Sequence, residues 1–115
     1  VIDLPYPNKA LWPNGRAHWA AKARETKLHR AWAFAATRAY IGPGYKHDGS
    51  RIAIRLTVHP KTNGVAPDKD NCLAACKSYL DGIADALGVD DSLFDPQPVH
   101  FAGKGSRFII EIDRV

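Results

Sequence analysis

Methionine is absent from this 115-residue chain and cysteine occurs only twice, so sulfur chemistry has little to work with. Cys72 and Cys76 lie four apart in a segment with helical spacing, which argues against a mutual disulfide and for a reducing compartment. They read as small core residues. The five histidines (His18, His29, His47, His59, His100) have no ligand spacing, so a zinc site would lack its remaining donors. No apolar run reaches the roughly 20 residues of a membrane helix. The opening VIDLPYP has neither the basic nor the apolar region of a secretory leader, and a cytoplasmic location is the expectation.

Acid is the other scarcity, everywhere except in one place. Residues 68–95 hold seven of the twelve acids (Asp68, Asp70, Asp81, Asp85, Asp90, Asp91, Asp95) and only two of the sixteen bases, Lys69 and Lys77. The rest of the chain is strongly basic. Such a surface suits a polyanion, and the acidic island suits a cation held against it. With 45% apolar and 24% charged residues, the composition is that of an ordinary globular chain, and the length fits one domain with a single core.

Along the chain, Ile2 to Pro5 reads as a short strand stopped by Pro5 and Pro7. A loop follows, with a turn at Pro13-Asn14-Gly15 flanked by the donors of Arg16 and His18. Basic and aromatic, it is either a plain connection or a phosphate contact. Residues 18–40 have helical spacing, with Ala21, Leu28, Trp32, Ala35 and Ala39 as the expected inward stripe. The other faces carry Lys22, Arg24, Lys27, Arg30 and Arg38 against Glu25, which serves solvation or phosphate neutralisation equally well. Gly42-Pro43-Gly44 ends this helix.

Residues 51–59 alternate strictly, with Ile52, Ile54, Leu56 and Val58 inward, and predict a half-buried strand whose other face carries Arg55. The segment 60–66, containing Asn63-Gly64, reads as a mobile loop. One helix is then expected up to Gly88, with Leu73, Cys76, Leu80, Ile83 and Leu87 as its stripe and a cap at Asp70 and Asn71. Capping leaves Asp68 unexplained. Beyond Asp90-Asp91 a loop punctuated by Pro96 and Pro98 leads to two strands, 99–102 and 107–113, joined as a hairpin by Gly103-Lys104-Gly105. The resulting fold class is α+β: a small mixed β-sheet packed by two main helices in a single domain.

Asp68 and Asp70, one residue apart on an extended segment entering a helix, project to the same side. If Asp90 or Asp91 approaches them, their mutual repulsion is relieved most simply by a divalent cation. Oxygen donors without His or Cys suit Mg2+, with Mn2+ as a substitute. Such a metal activates water and stabilises charge on a phosphodiester, which suggests a metal-dependent phosphodiesterase of unspecified substrate.

The run Asp68-Lys69-Asp70-Asn71, the helix with Lys77 and Leu80-Asp81-Gly82, and the closing Asp90-Asp91 resemble the phage and prophage RusA-type Holliday junction resolvases. Leu4-Pro5-Tyr6-Pro7, Asn14-Gly15-Arg16-Ala17-His18-Trp19 and the last strands extend the resemblance over most of the chain. It implies that Asp68 and Asp70 bind Mg2+, that Asp91 is the third essential acid and that Asp90 assists. The family's catalytic lysine falls on Ala74 here, and Lys77 takes its place only through a three-residue insertion. Lys77 also stands one turn from Asp81, an ordinary exposed pair, and Lys69 is an alternative source of charge. A homodimer is implied too, nicking opposing strands of a four-way DNA junction, a two-fold task for a two-fold protein. Arg16, His18, Lys22, Lys27, Arg30, Arg55 and Lys69 are then the candidate DNA contacts. Two alternatives stand beside this: a non-catalytic DNA-binding or architectural protein whose acids only cap a helix, and a metal nuclease acting on other branched DNA or on RNA.

Overall fold

The computed structural model describes residues 1–16, 18–61 and 66–114. Five strands form one mixed sheet: β1 (Ile2–Pro5), β2 (Ile52–His59), β3 (Phe94–Pro96), β4 (His100–Phe101) and β5 (Arg107–Arg114). Helices α1 (Trp19–Ile41), α2 (Lys69–Ala75) and α3 (Lys77–Leu87) complete the fold. β5 runs antiparallel between β1 and β2, and the far edge of β2 takes β3 and β4 in parallel. Alternation decides which face is covered: Ile52, Ile54, Leu56 and Val58 of β2, with Phe108 and Ile110 of β5, are buried together with Cys72, Cys76, Tyr79, Ile83 and Leu87 of the second helical segment. Tyr79 lies at the centre of this core and donates its hydroxyl to the Pro5 carbonyl at 2.6 Å, which ties α3 to the end of β1. Both cysteines are buried free thiols, and burial pushes Cys72 up to about 11, so neither is a nucleophile near neutrality.

Three expectations about elements change. The predicted hairpin is opened around β2: β4 pairs with one edge of β2 and β5 with the other, and the link between them crosses the end of β2. There the Gly105 and Ser106 N–H groups donate to the Pro60 carbonyl at 2.9 and 3.1 Å. An eight-residue strand buried on its inward face has two edges of backbone groups to satisfy, and inserting it between β4 and β5 satisfies both. The proline-punctuated loop contains a short 3-10 turn, Asp91–Leu93, and β3. The single helix is two, meeting at Cys76, whose N–H is shared between the Cys72 and Leu73 carbonyls at 3.0 and 3.1 Å. The core of the loop predicted over 60–66, residues 62–65, lies outside the described residues.

The inward face of α1 also differs from the expected stripe. His29, Ala33 and Thr37, spaced by four, are buried, whereas Leu28, Trp32, Phe34 and Tyr40 are exposed. Backbone proximity explains the choice, because Gly82 of α3 lies directly under the Arg30 carbonyl and Ala33. Only a face of small or compact side chains admits so close an approach.

His29 anchors this face. Its Nδ1–H donates to the Glu25 carbonyl at 2.7 Å and its Nε2 accepts the Asn8 N–H at 3.1 Å, an arrangement that requires the neutral ring. Burial pulls its pKa below the ordinary value, against the opposing pull of the Glu25 carbonyl and carboxylate. Because the folded pKa is depressed, the unfolded chain takes up a proton first as pH falls. The stability tied to neutral His29 is therefore complete above about pH 6.5 and drains below it. Urea unfolding from pH 7.5 to pH 5 should show a midpoint that declines in wild type, by up to ~1.4 kcal/mol per pH unit, and declines less in His29→Gln. Equal declines would remove His29 as the cause.

Candidate functional site

The acidic stretch is built from the ends of α2 and α3. Asp68 precedes α2 in an extended conformation and caps it, its Oδ1 accepting the Asp70 N–H at 2.8 Å. The cap is thus Asp68, two residues before the Asp70 that the sequence suggested, and the carboxylate of Asp70 is left exposed in the first turn.

At the other end Gly88 adopts the left-handed conformation (φ 72°, ψ 33°), and the Gly88 and Val89 N–H groups take the carbonyls of Asp85 and Ala84. This closing turn sends the chain back along α3. Asp90 caps the 3-10 turn by accepting the Ser92 N–H at 3.3 Å, and Asp91 reaches Lys77. Lys77 Nζ donates to Asp81 Oδ1 at 2.7 Å and to Asp91 Oδ2 at 3.0 Å. These hydrogen bonds, Asp81 first, raise the Lys77 pKa, and the Lys77 bond lowers that of Asp91. The exposed i, i+4 pair and the link to the terminal acids therefore coexist in one bifurcated contact.

Beside it lies a cavity of about 260 Å3 walled by Arg30, Asp81, Asp85, Asp90 and Asp91. Asp85 holds the Arg30 guanidinium bidentately, at 2.6 and 2.9 Å, and is itself held below the usual carboxylate range by that bond. Sequence reading took Asp85 only as part of the acidic island. Its role was invisible because Arg30 is 55 residues away in the chain.

The predicted acids therefore fall into two places. Asp68 and Asp70 stand at the start of α2, and Asp90 and Asp91 stand with Lys77 and Asp81 at the flank of α3. Among the described residues no group of three or more His, Cys, Asp or Glu side chains is arranged to hold a metal ion. The donor chemistry of the first pair nonetheless fits Mg2+, which keeps several waters and is commonly bound by one or two carboxylates together with phosphate oxygens. Asp68 retains its second oxygen after capping.

The candidate DNA contacts divide similarly. Arg16, Lys22, Lys27 and Lys69 are exposed. His18 is the cap of α1, its Nδ1 accepting the Ala20 N–H at 3.2 Å. Arg30 is committed to Asp85, and Arg55 lies 3.5 Å from Asp113 on the opposite face of β2 from the core. The aromatic ring of the N-terminal loop is packed rather than displayed: Trp12 stacks on Tyr6 and meets Phe108 edge-on.

No family model matches the chain, and no solved structure matches it. A relative in Xylella fastidiosa (strain Temecula1 / ATCC 700964), described as an uncharacterized protein, is 39% identical over 100 residues. The match covers 85% of this chain and 64% of the relative, so the chain spans about two-thirds of that protein's length. Among the described residues no helix is long and apolar enough to cross a membrane.

Proposed function

We propose that the protein is a Mg2+-dependent endodeoxyribonuclease that resolves four-way DNA junctions by paired nicking, acting as a homodimer. The observation that supports this reading best is the contact of Lys77 with Asp91. It joins the terminal acidic pair to α3, the helix that follows the one Asp68 caps, so that two of the three parts of the resolvase-like pattern are in direct contact. In this reading Asp68 and Asp70 hold the cation, whose chemistry when bound is to activate water and to offset charge on the phosphodiester. Asp91 is the third acid and Asp90 its neighbour. Lys77, kept protonated by its two carboxylates, exchanges one of them for a phosphate oxygen, and the cationic surface of α1 holds the backbone.

A second reading has its own support. Asp68 and Asp90 each cap a helical turn and Lys77 already has two partners, which is what a non-catalytic DNA-binding protein would need of them. A labelled synthetic four-way junction and a linear duplex, each incubated with Mg2+ or with EDTA, separate the two. Symmetric nicks in the junction alone, lost in EDTA, are the expected result. Tight binding without cleavage in Mg2+ or Mn2+ would leave the binding protein as the answer.

A further inference from the structure

Trp19, the first residue of α1, is 76% exposed, the most exposed of the large apolar side chains. It heads an open stripe of α1 that runs through Lys22, Thr26, Lys27 and Arg30. Lys22 and Thr26 also line a groove of about 330 Å3 that contains Lys77, Ser78 and Asp81, and Arg30 lines the acidic cavity of Asp90 and Asp91. These residues mark a surface path from the exposed indole towards the acid and lysine site. Beside it Ser78 Oγ is buried with no hydrogen-bond partner among the described residues.

The chemistry of this path selects its occupant. Lys22 and Lys27 give it positive charge, and the one acid of α1, Glu25, is turned in beside His29. A second copy of this surface would set lysine against lysine. A duplex hides its base faces in the stack and would leave the indole in water. An unpaired nucleotide supplies both needs, a phosphate for the lysines and a flat aromatic face for the tryptophan.

We propose that Trp19 is a stacking platform for an unpaired base of branched DNA, with Lys22 and Lys27 holding the adjoining phosphates. The assignment rests on the nuclease reading for its DNA substrate, and is testable without cleavage. Fluorescence anisotropy with labelled oligo(dT) of twelve nucleotides and with a linear duplex, both in EDTA, gives the binding constants. Trp19→Ala should weaken oligo(dT) binding about ten-fold or more and duplex binding less than two-fold, while Trp19→Phe keeps most of the affinity. Thermal unfolding of both variants should match wild type, since so exposed a ring carries little packing. Wild-type protein that ignores oligo(dT), a Trp19→Ala variant within two-fold of wild type, or equal losses on both ligands would each overturn the platform. None of these outcomes bears on whether junctions are nicked in Mg2+, so the two readings fail separately.

Discussion

Asp70→Asn is expected to lower Mg2+-dependent nicking of a four-way junction by at least ~100-fold, since the proposed function makes Asp70 a cation ligand that contributes several kcal/mol to the transition state. Because the Asp70 side chain is exposed and only its N–H takes part in the cap, the fold should barely register the change. The expected stability cost is that of one carboxylate in the first turn of a helix, at most about 1 kcal/mol. Asp68 makes a sharper comparison. Asn caps a helix as well as Asp does, so Asp68→Asn should keep stability and lose activity, whereas Asp68→Ala should lose activity and about 1 kcal/mol as well. Single-turnover nicking rates beside urea unfolding curves test both. If Asp70→Asn and Asp68→Asn nick as fast as wild type, the carboxylates are structural and their assignment as cation ligands fails.

The second large effect belongs to Gly82. A methyl group there would collide with the Arg30 carbonyl oxygen and lie 3.0 Å from the Ala33 Cβ, a clash with backbone that no side-chain rotation relieves. Ala would gain up to about 1 kcal/mol in helix propensity, yet forcing α1 and α3 apart costs about 1–3 kcal/mol or more in a packed interior. A fall in Tm of roughly 5–15 °C is the net expectation for Gly82→Ala. The displaced helices would also separate Arg30 from Asp85 and so open one wall of the acidic cavity. Calorimetry decides the matter: an unchanged or raised Tm would mean that the helices do not meet as closely as described.

Much of the scaffold was legible because periodicity is a local property. The strands at β1 and β5, the alternation of β2 and the glycine stops at Gly42 and Gly88 follow from which side chains can share a face or adopt a positive φ. The inward face of α1 misled for a physical reason. Hydrophobicity pointed to Leu28 and Trp32, but the helix is held at a distance set by Gly82, and at that distance size outranks apolarity, so Ala33, His29 and Thr37 face in.

By itself the sequence determined the chemical inventory: an acidic island in a basic chain, oxygen donors without zinc ligands and a D-x-D-N pattern. It also determined the α+β class, since strand and helix periods are written residue by residue. Only the tertiary structure decided which of those groups meet. Lys77 reaches Asp91 because a left-handed Gly88 turns the chain back; Arg30 finds Asp85 because two helices touch through a glycine; β2 enters between β4 and β5 because both its edges need partners. Pairings between residues far apart in the chain depend on the packing of whole elements, and no local pattern encodes that.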